Sequence, residues 1–387
     1  MPWEERLVGT IREDFVKKVI AGENSKSEIC REFNISRPTG DKWLERYRNG
    51  EPLSDQSKRP FHSPNKTDEA TEAKILAVRG EHPAWGARKI IRVLENRGEG
   101  GLPVQSTVCE ILKRNGCISH EDSQAAKPFQ RFEHDQPNDL WQMDFKGHFP
   151  LKNGQRCHPL TILDDHSRYS MCVDAHPNER LPGVAASLTA LFRRYGLPSA
   201  ILCDNGNPWG ASQSTGYTQF DIWMMDLDIL TIHGRPKHPQ TQGKDERFNQ
   251  TLNDEAIKGR EIADMAESQR IFDLFRDCYN NLRPHAALGF ACPASRYQPS
   301  SRPLPDTVDS CEYPSGTVVR QIKNTGYLTY RNQGYYLSEA FGGRTVAIVE
   351  SSIPGCVNVI YRNFQVARLN VDEKAFVSRR IYRRSKE

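Results

Sequence analysis

Three acidic residues stand where a chain of alternating strands and helices would gather reactive groups. Asp144 lies on the polar side of the alternating stretch DLWQMDFKGHF, Asp204 follows the apolar run AILC into an Asn-Gly turn, and Glu246 opens a helical stretch after HPQTQG. In α/β sheets such groups collect at strand ends and at the helix starts that follow them. Three converging carboxylates repel one another unless a cation neutralises them, and oxygen-only donors favour Mg²⁺ or Mn²⁺. Two such ions, roughly 3.5 to 4 Å apart, stabilise the attacking and leaving oxygens of an in-line phosphoryl displacement. The pattern therefore predicts phosphodiester chemistry with two ions per site. Taken singly, each residue also has a plainer role. Asp204 fits an Asp-Asn-Gly turn, Asp144 an exposed position on an edge strand, and Asp164 with Asp165 the caps of a hairpin turn. His158, His166, His233 and His238 show no zinc-type pairing and read as surface or DNA-proximal groups.

The elements that must position these acids are legible from periodicity. After DLWQMDFKGHF, whose Trp141, Met143 and Phe145 alternate with Gln142, Asp144 and Lys146, HPLTILDDHSRYSMCVDA reads as two strands around a DDHS turn. PGVAASLTALFRRYG is an amphipathic helix, SAILCDNG a strand, GYTQFDIWMMDL a helix and DILTIHG a strand, before the helix bearing Glu246 and a further long helix, EIADMAESQRIFDLFRDCYNNL. The order β-β-β-α-β-α-β-α specifies an α/β core over 136–298.

Two helical regions precede that core. Residues 1–55 read as three short helices, with Ser25 or Ser27 as N-cap of the middle one and Gly50 ending the last. The third helix carries Arg37, Lys42 and Arg46 beside Trp43 and Tyr47, an arrangement suited to a helix-turn-helix that lays one helix against DNA. A generic three-helix bundle with a charged face is the plainer reading of that segment. A second trihelical pattern follows over 56–118 behind a Pro- and Ser-rich stretch, with VQSTVCEIL as a second recognition helix capped by Ser106 or Thr107. Residues 119–135 and 299–310 read as linkers. From 311 to 387, short strands at about ten-residue spacing predict a small β-barrel, and its tail carries Arg379, Arg380, Arg383, Arg384 and Lys386, suited to phosphate contacts or to a solvated, frayed end.

Composition narrows the class further. The formal net charge of +4 permits nucleic acid without demanding it, although residues 301–387 hold 13 Lys and Arg against 8 Asp and Glu. Ten scattered cysteines without a Cys-x-x-Cys pair, and a start lacking a secretion-type apolar stretch, predict a reduced, cytoplasmic, nucleoid-associated protein. A mean hydropathy of −0.68 and no 18-residue apolar run argue against a membrane span.

WQMDF, LCDNG, HPQTQGKDERFNQTL, YNNLRPHAAL and CPASRY, in that order over about 136–297, resemble the catalytic core of DDE transposases of bacterial insertion sequences, within the retroviral-integrase superfamily. The resemblance implies an RNase H-like core with Asp144, Asp204 and Glu246 as the metal-binding triad. It also implies cleavage at element ends and strand transfer of the 3′-hydroxyl into target DNA without a covalent intermediate. Two DNA ends must be joined together, so at least a homodimer is expected. The 42 positions from Asp204 to Glu246 exceed the spacing common in integrases, and the PWGASQSTG loop reads as an insertion. Helical geometry sets Phe248, Leu252 and Ala256 toward the core, with Glu246, Gln250 and Asn253 on roughly the opposite side, suited to transposon-end DNA. Lys244 and Arg247 then flank the acid as phosphate contacts, while Asp245 falls off that stripe near the positive helix end. The resemblance also suggests Arg283 and His285 near the site as DNA contacts, with helix termination by Pro284 as the plainer reading. A non-catalytic DNA-binding repressor or a domesticated relic is the competing functional class, and a simple RNase H-type nuclease a third.

Overall fold

The computed structural model describes residues 8–22, 24–55, 67–118, 134–206, 208–210, 216–234 and 243–384. His238, Lys386 and most of the 119–135 linker lie outside them. The chain divides into two compact units, Met1–Lys66 and Thr67–Glu387.

The first unit holds α1 (Val8–Ala21), α2 (Lys26–Glu32) and α3 (Arg37–Arg48). Each later helix starts at a serine: Glu28 reaches back to the Ser25 N–H at 3.0 Å, and Ser36 Oγ accepts the Thr39 N–H at 3.3 Å. Phe15, Val16, Ile29, Cys30, Trp43 and Leu44 form its core. Helix α3 crosses closely because Gly40 has no side chain; a Cβ there would lie 2.8 Å from Cys30 Sγ and 2.9 Å from Phe15 Cζ.

The second unit opens with α4 (Glu69–Glu81), α5 (Ala87–Asn96) and α6 (Gln105–Arg114), packed around Trp85, Ile90, Val108 and Ile111. The expected cap of α6 is displaced. Val104 is the N-cap, and Ser106 and Thr107 lie inside the helix, because the Val108 N–H already bonds the Val104 carbonyl at 3.1 Å. Burial of Val108 fixes that register.

A mixed sheet follows, with β1 (Leu140–Phe145), β2 (Phe149–Pro150), β3 (Arg156–Asp164), β4 (Ser170–His176), α7 (Leu181–Tyr195), β5 (Ala200–Cys203), α8 (Gln219–Asp226), β6 (Leu230–His233), α9 (Gly243–Leu252) and α10 (Met265–Asp277). The sheet order is β2-β3-β1-β5-β6, with β4 also on β3; β1 runs antiparallel to β3 and parallel to β5. Strand β1 is thus internal, not an edge, and Gln142 on its polar side is buried as well as Trp141 and Met143. Trp141, Met143, Ile162 and Ile201 face α7 and α8, whereas Leu163 and Val173 pack with Phe248, Leu252, Phe272 and Tyr279 of α9, α10 and the turn after α10. Both α9 and α10 end in a π-helical turn, Asn253–Ile257 and Cys278–Leu282.

The C-terminal region contains β7 (Val318–Gln321), β8 (Tyr327–Tyr330), β9 (Gln333–Tyr336), β10 (Thr345–Glu350), β11 (Cys356–Tyr361), β12 (Phe364–Asn370), β13 (Ala375–Ser378) and β14 (Tyr382–Arg383). The expected barrel is not closed. The order β13-β12-β11-β10-β7, with β14 on β12, leaves β13 and β7 as separate edges, and β8-β9 forms its own hairpin. Leu328, Tyr335 and Leu337 from the hairpin region pack on the sheet's Val346, Val359 and Val366, so side-chain burial covers a face that hydrogen bonding does not close. Of the basic tail, Arg383 is docked, pairing with Asp228 at 2.9 Å and donating to the Ser199 carbonyl, whereas Arg379, Arg380 and Arg384 are exposed. Asp226 at the end of α8 binds this region to the core, accepting from Tyr361, Arg362 and Arg344 at 2.6, 2.7 and 2.9 Å. Among the described residues no helix is long and apolar enough to cross a membrane.

Candidate active site

Strands β1 and β5 run parallel with Gln142 beside Leu202. One pleat further, the strand ends carry Asp144 and Asp204 as neighbours. Asp144 is raised to about 6 because burial disfavours its charge and the Asp204 carboxylate repels it; the Phe145 N–H and the Asn249 amide pull the other way. Asn249 Nδ2 donates to Asp144 Oδ2 at 3.0 Å, and Asn249 Oδ1 accepts from Thr161 Oγ1 at 3.3 Å. Asp204 Oδ1 accepts the Gly206 N–H at 2.9 Å and the Trp209 indole N–H at 2.6 Å. Two facing carboxylates, one of them destabilised as an anion, form an oxygen-only pair suited to a hard divalent cation.

The third acid is arranged differently. Glu246 is exposed at the start of α9, and among the described residues no group of three His, Cys, Asp or Glu side chains is gathered as a metal cage. The α9 acid that feels the Asp144 charge is Asp245. It is 3% exposed, its Oδ1 has no hydrogen-bond partner, and burial, Asp144 and Asp165 drive its carboxyl well above the usual range against the pull of Lys244 and Arg168. Asp245 is therefore no bystander outside the site. The sequence held the signal: Asp245 precedes Phe248 by three residues and so shares its inward face. Glu246 in turn precedes Asn249, which touches Asp144, by one helical turn.

Several expected contacts lie elsewhere. Lys244 is committed to Asp165, bonding its carboxylate and its carbonyl, and is a partner inside the protein rather than an open phosphate contact. Asp165 also accepts from Gln142 Nε2 at 2.6 Å and the His134 N–H at 2.8 Å, so it is a buried hub, while Asp164 caps the turn as expected by accepting the Ser167 N–H. Arg283 is buried and paired with Glu255 at 3.0 Å. His285 is buried too, and burial together with Arg283 lowers it to about 3, leaving a neutral ring against the Tyr279 carbonyl. Neither side chain is presented to an external ligand. Arg247 and Gln250 are exposed and bond each other at 3.1 Å, and Asn253 is half-buried. In the first unit Arg37 and Lys42 are exposed, whereas Arg46 packs over Trp43 and donates to the Ser54 carbonyl at 3.1 Å. His233 is no surface group: its Nε2 lies 3.0 Å from Asp221, and although burial is the largest single influence on each, their hydrogen bond and charges together with bonds to Cys203, Thr218 and Thr231 raise the imidazole and lower the carboxyl toward an ion pair.

Asn249 and Trp209 were not singled out by sequence reasoning. Asn249 follows the core residue Phe248 in a helix whose inward face was otherwise recognised. Trp209 falls in the stretch that reads as an insertion, although a tryptophan inside a Gly- and Pro-rich loop is a signal of anchoring.

Comparison with known proteins agrees with this architecture. Residues 134–239 and 227–293 each match an integrase core domain family, residues 11–61 a helix-turn-helix domain and residues 39–112 a homeodomain-like domain. The chain is similar to the insertion element IS407 uncharacterized 31.7 kDa protein of Burkholderia multivorans, 26% identical over 60% of this chain and 82% of that protein. It is also 26% identical to the transposase InsD for insertion element IS2A/D/F/H/I/K of Escherichia coli, over 57% of this chain and 75% of that one. A chain of the simian T-cell lymphotropic virus intasome aligns over 74% of this chain and 96% of its own, at 19% identity and a TM-score of 0.37. The chain thus carries integrase core domain matches behind helix-turn-helix matches, and it is similar to insertion-element transposases.

Proposed function

We propose that the protein is a divalent-metal-dependent DNA transposase that binds the terminal repeats of an insertion element and joins their 3′-hydroxyls to target DNA. The observation that carries this reading is the juxtaposition of Asp144 and Asp204 at adjacent parallel strand ends, with Asp144 raised by burial and by its neighbour. Asp144, Asp204 and Glu246 would hold two Mg²⁺ or Mn²⁺ ions, which when bound would activate the attacking oxygen and neutralise the leaving one. Asn249 holds the Asp144 carboxylate, and Glu246 stands one turn before Asn249 on α9. The exposed Arg37 and Lys42 of α3, with Arg247, Gln250 and Asn253 of α9, are the DNA contacts this reading retains, and Arg283, His285 and Lys244 are not among them. Joining two ends requires at least a dimer.

The absence of a gathered acidic trio among the described residues favours, as a second reading, a DNA-binding repressor that keeps the fold. Strand transfer of a labelled terminal-repeat oligonucleotide into plasmid with Mg²⁺ separates the two. Wild type should join the ends, and Asp144→Asn, Asp204→Asn and Glu246→Gln should each abolish joining while retaining the oligonucleotide. Retention without joining by the wild type supports the repressor, and joining that survives Glu246→Gln removes Glu246 from the mechanism.

A further inference from the structure

The loop that follows Asp204 is built around that residue's carboxylate. Trp209 is 1% exposed, and its indole N–H donates to Asp204 Oδ1 at 2.6 Å. Its ring lies flat on Phe145, the residue after Asp144, with centroids 5.4 Å apart and planes 6° from parallel. One side chain thus fixes the Asp204 carboxylate and rests on the strand that presents Asp144.

Two glycines let the loop close this tightly. A Cβ on Gly206 would meet Asp204 Oδ2 at 2.8 Å and Oδ1 at 3.0 Å, and one on Gly210 would fall 1.9 Å from the Asn205 carbonyl oxygen. The Gly210 N–H bonds back to the Gly206 carbonyl at 2.7 Å. The loop is also anchored on its far side. Thr218, the N-cap of α8, donates its hydroxyl to the Trp209 carbonyl at 3.2 Å and its backbone N–H to Asp221 Oδ2 at 2.9 Å. Asp221 holds His233, whose Nδ1 lies 3.3 Å from the Asp204 carbonyl. Asp204 is therefore gripped at its carbonyl through β6 and at Oδ1 through Trp209, while Oδ2 accepts no hydrogen bond among the described residues. A carboxylate held by one oxygen offers the other in a fixed direction, which is how supporting hydrogen bonds tune a metal ligand.

We infer that Trp209 is a positioning residue: its indole N–H orients Asp204 so that Oδ2 is presented to a divalent cation beside Asp144, and the apparent insertion after Asp204 exists to deliver it. This rests on the proposed metal-dependent function. The test is calorimetric titration of the full-length chain with Mn²⁺, run beside thermal melts. Trp209→Phe keeps an aromatic ring beside Phe145 but removes the donor together with part of the buried indole, so Mn²⁺ affinity should fall roughly tenfold or more, and the melts report the packing cost separately. Gly206→Ala crowds both oxygens of the same carboxylate and should give the same loss with Trp209 intact, which keeps the idea testable should Trp209→Phe fold poorly. Asp204→Asn is the reference for a lost site. Wild-type Mn²⁺ binding that Asp204→Asn abolishes but Trp209→Phe or Gly206→Ala leaves at wild-type strength overturns the positioning role. Mn²⁺ binding that is absent from wild type, or indifferent to Asp204→Asn, instead defeats the metal-dependent function beneath it.

Discussion

Lys89 in α5 gives the sharpest quantitative prediction. The side chain is half-buried, and burial first, then the nearby Arg283, lowers it from 10.5 to about 8; Arg247 acts in the same direction and Glu255 opposes them. Glu255 cannot serve it fully because that carboxylate is already bonded to Arg283 at 3.0 Å. At about 1.4 kcal/mol per pH unit, a fall from 10.5 to about 8 corresponds to at most about 3 kcal/mol of cost for the charged form. The unfolded chain binds this proton more tightly, so the cost is complete below pH 8, declines between pH 8 and 10.5, and vanishes above. Lys89→Met keeps the aliphatic stem and deletes the charge. It should stabilise the second compact unit by roughly 1 to 3 kcal/mol at pH 7, a rise of a few degrees in its melting temperature, and the gap should close toward pH 10.5. Scanning calorimetry of both proteins at the two pH values reads this directly. A stabilisation of equal size at both pH values, or a loss of stability at pH 7, would refute the argument from the buried ammonium.

Two further outcomes follow from packing. Gly40→Ala forces a methyl against Cys30 Sγ and Phe15 Cζ, and should cost the first unit about 1 to 3 kcal/mol, lowering its melting transition and its DNA affinity while the second unit melts unchanged. An unaltered first transition would mean that α3 shifts freely. Asp226→Asn leaves Arg344 and Arg362 without their shared carboxylate, 9% exposed in the native protein, and should cost about 3 to 5 kcal/mol. Urea unfolding checks the size, and limited proteolysis should then release the C-terminal sheet first; a cleavage pattern identical to wild type would show that apolar packing alone holds it.

The residue sequence by itself determined the element order and the first two acids of the site. Strand alternation and helical spacing are local properties, so the expected β-β-β-α-β-α-β-α order matches the core apart from the two-residue β2, which is too short to show alternation. Asp144 and Asp204 could be singled out in advance because both fall at strand ends, while their adjacency depends on β1 pairing with β5. Tertiary structure decided what depends on partners distant in the chain. Helical spacing does set Asp245 on the face of Phe248, yet only the packed sheet reveals that this face meets Asp144, and only there does its buried carboxyl lack a partner. The charges of Lys244 and Arg283 suggested ligand contacts until Asp165 and Glu255 claimed them inside the protein. Barrel closure likewise depends on whether two edge strands meet, which strand spacing does not encode, and β7 and β13 remain apart. Trp209 shows the same division: its type marked an anchor, but its target, the Asp204 carboxylate, became visible only once the loop had folded back on the strand end.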